Sequence, residues 1–150
     1  MDIFNFKYFY IMITSKQCQE RYGAPELERA MVIFDVPAQL EIGFIPKRIY
    51  CNKDLVKPLE KALNLIVLRD CAKFIKSWDG CFNIRKKRGL SSKSLHSWGL
   101  AIDINAASNQ LGHYPTLNPE LVKCFKEAGF DWGGDWARPD GMHMQLSSFK

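Results

Sequence analysis

Apolar residues recur at helical spacing between Asn52 and Trp78. Leu59, Ala62, Leu63, Ile66, Val67, Phe74 and Ile75 fall mostly three or four positions apart. The pattern predicts one long core helix over this span, capped by Asn52 or Asp54, with Pro58 near its first turn and Gly80 just past its end. Further along, the period changes to two. Leu100, Ile102 and Ile104 alternate with Ala101, Asp103 and Asn105, and Met142, Met144 and Leu146 alternate with His143 and Gln145. These are two strands, the first with one apolar face. Gly99 and Ala101 share the other face with Asp103 and are expected to leave room beside it. Ser15 is expected to cap a short helix through Arg21 that Gly23 ends. Asn118-Pro119-Glu120 opens another helix, which Gly129 ends. Residues 31–48 mix apolar runs with Pro37, Gly43 and Pro46 and read as short strands or extended loop. Helix and strand alternate without regular βαβ units, so the expected class is α+β, a central antiparallel sheet with flanking helices.

Bulk properties narrow this picture only a little. A length of 150 residues suits one domain, with residues 1–13 as an N-terminal extension. A hydrophobic content of 47% with 25% charged residues excludes a disordered chain. The net charge of +5 favours an anionic partner or surface. No nucleic-acid motif accompanies it, and the cations are scattered outside residues 85–88, so nucleic acid is not an expected partner. The cysteines, Cys18, Cys51, Cys71, Cys81 and Cys124, form no CxxC pair and are odd in number. Buried free thiols in a reducing compartment are expected. The aromatic stretch Ile3 to Ile13 carries Asp2 and Lys7 where a signal peptide needs a basic start and an unbroken apolar run. It is also too short to span a membrane. A packed strand or an extension is the expectation, in a monomer made in the cytoplasm.

The polar positions of the two strands carry the chemistry. His96 precedes the first strand, Asp103 lies within it, and His143 lies in the second. Two imidazoles and one carboxylate make the three-ligand set of a catalytic zinc, which keeps one position for water. His96 and Asp103 are too far apart to share a metal on one helix, about two turns or roughly 10 Å. A loop leading into a strand lets His96 fold back over Asp103. Asp140, three residues before His143, is placed to act as general base. Arg85 and Arg88 are both candidates to stabilise an oxyanion. His113 reads as a surface residue, while Trp132 and Trp136 suit either core packing or the wall of a peptide groove.

The stretch Ser94-Leu95-His96-Ser97-Trp98-Gly99-Leu100-Ala101-Ile102-Asp103 resembles the SxHxxGxAxD motif of the M15 zinc peptidases, which include D-alanyl-D-alanine carboxypeptidases and L-alanyl-D-glutamate endopeptidases. Asp140-Gly141-Met142-His143 resembles the DxxH closure of the phage-endolysin branch. Residues 129–136 resemble the stretch that precedes it. The resemblance implies one zinc per chain, held by His96, Asp103 and His143, with Asp140 as catalytic acid/base. It implies Arg85 as the arginine that polarises the scissile carbonyl, with Arg88 the fallback, although Asn83 stands where the family commonly has a small residue. Ser94, which either orients a ligand or substrate or turns the chain, and Trp136 are the expected substrate contacts. The implied substrate is the stem peptide of peptidoglycan, cleaved at L-Ala–D-Glu or D-Ala–D-Ala in the cell wall. The implied fold is the one the family shares with the hedgehog signalling domain. A non-catalytic zinc module of that fold is the alternative, and retention of Asp140 speaks against it.

Overall fold

The computed structural model describes residues 12–149. Its first helix, α1 (Ser15–Tyr22), opens with a reciprocal cap. Thr14 Oγ1 accepts the Gln17 N–H at 3.1 Å, and Gln17 Oε1 accepts the Thr14 N–H at 2.9 Å. Thr14 is therefore the cap, one residue before the expected Ser15. Had Ser15 taken the role, Cys18 would occupy the reciprocal position, with no amide to return the bond. Gly23 ends the helix as expected. Strands β1 (Met31–Asp35) and β2 (Arg48–Asn52) pair antiparallel, from Met31 opposite Asn52 to Asp35 opposite Arg48.

Asn52 then caps a short 3-10 turn through its Oδ1, which accepts the Asp54 N–H at 2.9 Å, and α2 (Val56–Leu68) follows. Leu59, Ala62, Leu63 and Ile66 form its buried stripe. Val67, counted in the sequence pattern, faces outward. The helix stops at Leu68, well short of the expected Trp78. Asp70 takes a left-handed backbone, φ 55°, and the Cys71 N–H turns back to the Ile66 carbonyl. Phe74 closes a separate 3-10 turn, Ile75 enters the core from extended backbone, and Gly80 lies in strand β3 (Trp78–Gly80) rather than beyond a helix end.

The larger sheet has the order β3-β4-β6-β5, antiparallel throughout. Its two central strands are β4 (Ala101–Ile104) and β6 (His143–Leu146). Every residue of both is buried, so the face that carries Asp103 is enclosed as well as the apolar one. Helix α3 (Pro119–Ala128) starts where Asn118 Oδ1 accepts the Glu120 N–H at 2.8 Å, and it ends at Gly129, φ 107°. It packs against α2 and against β5 (Phe130–Trp132). Among the described residues, two antiparallel sheets and three α-helices thus make an α+β fold. One cluster of buried side chains runs from Ile13 to Leu146 and includes all five cysteines as free thiols. The aromatic N-terminal stretch, apart from half-exposed Met12 and buried Ile13, lies outside the described residues. Among the described residues, no helix is long and apolar enough to cross a membrane.

Candidate metal centre

Asp103 and His143 are directly opposite each other in the β4–β6 pair, so their side chains leave the sheet on one face. His96 arrives from the 3-10 turn Leu95–Trp98, which Ser94 caps through its Oγ, the acceptor of the His96 N–H at 3.3 Å. Gly99 closes that turn with φ 67°. A Cβ on Gly99 would lie 2.7 Å from the backbone nitrogen of Asn52 and equally close to Met31. The residue is small because β2 passes against it. The expectation that it clears space for a metal is corrected.

The three side chains converge in the interior, with residue exposures of 2% for His96, 7% for Asp103 and 4% for His143. His96 Nε2 lies 3.1 Å from Asp103 Oδ2 and 3.2 Å from His143 Nδ1, which is in turn 3.4 Å from Asp103 Oδ1. Second partners set the ring protons. His96 Nδ1 is 2.7 Å from the Cys81 carbonyl at the end of β3, and His143 Nε2 is 2.9 Å from Gln145 Oε1. Each ring donates outward to an oxygen, which turns the lone pairs of His96 Nε2 and His143 Nδ1 towards each other and towards Asp103. Two lone pairs and a carboxylate do not satisfy one another, and Asp103 Oδ1 is buried without a hydrogen-bond partner. A cation resolves this. Tetrahedral bonds of about 2.0–2.1 Å space their donors roughly 3.3 Å apart. The observed separations of 3.1, 3.2 and 3.4 Å bracket that figure. The donor set therefore fits a zinc ion.

Beside the three ligands opens a cavity of about 430 Å³ that takes in Arg85, Ser94, Trp136 and Asp140. Asp140 Oδ2 is 4.0 Å from His143 Nδ1. Burial raises its carboxyl pKa. The Asp140 loop is tied back by its own N–H, which donates to the Gly133 carbonyl at 2.8 Å. Arg85 is held by two bonds with Ser97 Oγ, both 3.1 Å, and its guanidinium lies 3.7 Å from Asp103 Oδ2. Arg88 lines the same cavity farther along the chain, on the exposed hairpin paired at Lys86 and Lys93. The Trp136 ring stands 5.3 Å from that of His143. Trp132 instead donates its indole N–H to the Gly141 carbonyl at 2.8 Å and packs on the core. His113 is exposed and outside the cavity.

Sequence reasoning missed four contributors. Gln145 was visible in the alternation, two places from His143 and hence on its face. Arg138 stands two places before Asp140 and lines the cavity. Gly133 meets the Asp140 backbone so closely that no Cβ fits. The Cys81 carbonyl left no signal, since every residue carries one.

Residues 87–146 match a family model described as D-alanyl-D-alanine carboxypeptidase, one of the M15 peptidases. The matched span contains His96, Asp103, Asp140 and His143, and Arg85 falls just before it. No curated protein and no solved structure matches the chain.

Proposed function

We propose, from the premise that this chain is an M15-family peptidase, that it is a zinc-dependent hydrolase of the peptidoglycan stem peptide, cleaving an alanine-containing amide at L-Ala–D-Glu or D-Ala–D-Ala. One observation carries the reading. Two imidazole lone pairs and the Asp103 carboxylate converge on a single point, beside a cavity into which Asp140 and Arg85 also project.

His96, Asp103 and His143 would hold the ion. When bound, zinc supplies Lewis acidity, which acidifies a water towards neutrality and polarises a carbonyl. The chain's own groups do the rest. Asp140, its carboxyl raised by burial, accepts a proton from the attacking water and returns it to the departing amine nitrogen. Arg85 donates to the carbonyl oxygen as negative charge builds there. Trp136 offers the peptide a flat apolar wall. Ser94 spends its oxygen lone pair on the His96 N–H and keeps its hydroxyl proton for a substrate carbonyl. The Asp140–His143 closure and the net charge of +5 support a lysin-type enzyme that approaches an anionic wall. A purely structural zinc module would have no use for a half-buried carboxylate beside the ligands.

The test is mass spectrometry of purified muropeptides digested with and without chelator. Release of free D-alanine assigns the carboxypeptidase bond, and new L-Ala and D-Glu ends assign the endopeptidase bond. Digestion that chelator leaves unchanged, by a protein that contains no metal, refutes the proposal.

A further inference from the structure

The cavity beside the ligands is lined by four cations, Arg85, Lys87, Arg88 and Arg138, against two carboxylates, Asp103 and Asp140. With both imidazoles neutral, Asp103 faces Arg85 at 3.7 Å, and the two carboxylates leave the lining with a surplus of positive charge. Arg138 and Arg88 have no acidic partner among the described residues. A bound divalent ion adds further positive charge to the same space. The imbalance calls for an anion from the substrate.

Arg138 is held ready to meet it. The backbone beside it is fixed by the Gly112 N–H, which donates to the Pro139 carbonyl at 2.7 Å. The guanidinium lies between two glycines. A Cβ on Gly89 would be 3.8 Å from Arg138 Nη1, and one on Gly112 would be 3.9 Å from Arg138 Nε. Both glycines have positive φ, 76° and 83°, and neither places a side chain over the fork. Arg88 is the neighbour of Gly89 and shares the cavity. A planar guanidinium with free donors pairs with a carboxylate through two parallel bonds, which fixes direction as well as charge.

We propose that Arg138, assisted by Arg88, is the specificity-determining carboxylate site of this cavity, so that the favoured substrate carries a free carboxylate close to the scissile amide. The inference rests on the peptidase reading above. Two sources share this chemistry: the C-terminal carboxylate of an acyl-D-Ala-D-Ala peptide, and the glutamate carboxylate next to the bond in an L-Ala–D-Glu peptide.

The experiment compares each peptide in its free-acid and amidated forms, with zinc-loaded wild type, Arg138→Ala and Arg138→Lys. The wild type is expected to favour the acid over the amide by roughly tenfold to a hundredfold in kcat/KM, the effect of a charge-assisted pair. The peptide that shows this preference identifies the source. Arg138→Ala narrows the ratio to near one, mainly through KM, and Arg138→Lys restores part of it. A wild-type ratio near one, or a ratio that Arg138→Ala leaves unchanged, overturns the inference. If the wild type cleaves neither peptide, the peptidase reading has failed, and binding followed by tryptophan fluorescence tests the carboxylate site separately. Tighter binding of an acid peptide to the wild type than to Arg138→Ala, by about tenfold, then supports it. Equal affinities overturn it.

Discussion

Gln145 offers a direct test of the metal centre because it gives the site no donor atom of its own and acts on it through the far nitrogen of His143. Its Oε1, 2.9 Å from His143 Nε2, is what keeps the ring proton on the far side of the imidazole. Gln145→Met preserves length and removes the acceptor. The buried N–H is then unsatisfied, at a cost of about 1–3 kcal/mol. The ring can escape that cost by moving its proton to Nδ1, which lies 3.2 Å from His96 Nε2 and would donate to it. That tautomer occupies the lone pair that zinc needs, so binding must first reverse it. The expected result is zinc affinity weaker by roughly tenfold to a hundredfold, equivalent to about 1.4–2.8 kcal/mol. Competition against a chromophoric chelator at neutral pH measures it. Thermal unfolding of the metal-free proteins should show a smaller difference, because the new histidine–histidine bond partly compensates the metal-free state. Gln145→Glu keeps an acceptor and should retain affinity. Zinc affinity in Gln145→Met within twofold of the parent would refute the argument that the second partners set the ring protons.

Asp140→Asn keeps the shape of the side chain and removes its basicity. Zinc content should be unchanged, while muropeptide hydrolysis falls at least about a hundredfold; hydrolysis at the parental rate would remove Asp140 from the mechanism. Gly133→Ala drives a Cβ into the Asp140 carbonyl oxygen and to 3.0 Å from the Asp140 Cβ. It should cost about 1–3 kcal/mol in chemical unfolding, and activity should fall further than that stability loss explains, since a shift of about 1 Å in a catalytic group costs on the order of a hundredfold. The five cysteines are buried free thiols, and burial pushes Cys18 and Cys51 from 9.0 to about 12. Thiol titration at pH 7 should be at least about a thousandfold slower for these two in the folded protein than in denaturant; their modification at the denatured rate in the folded protein would contradict their placement.

What the sequence disclosed depends on whether a role belongs to a side chain or to the path of the backbone. His96, Asp103 and His143 could be read because strands of period two must present Asp103 and His143 on single faces, and the β4–β6 register then makes those faces one. Gln145 follows from the same alternation. The end of α2 could not be read, because Phe74 and Ile75 continue the apolar spacing beyond the point where Asp70 breaks the helix. The break is a left-handed residue stabilised by a bond back to Ile66, and Asp adopts that backbone without announcing it. Gly99 shows the converse. Its smallness was visible and its reason was not, since the atom that excludes a Cβ is the nitrogen of Asn52, brought there by a different sheet. The same division runs through the site. The ligands and Asp140 act through atoms specific to their residue types, whereas the orientation of His96 depends on the Cys81 carbonyl, which any residue at the end of β3 would provide. Replacement of Cys81 by Ser or Ala should therefore disturb packing without releasing the His96 proton. The ring proton of His96 is thus set by backbone that any residue would supply, and that of His143 by a side chain, Gln145, that the alternation of β6 places beside it.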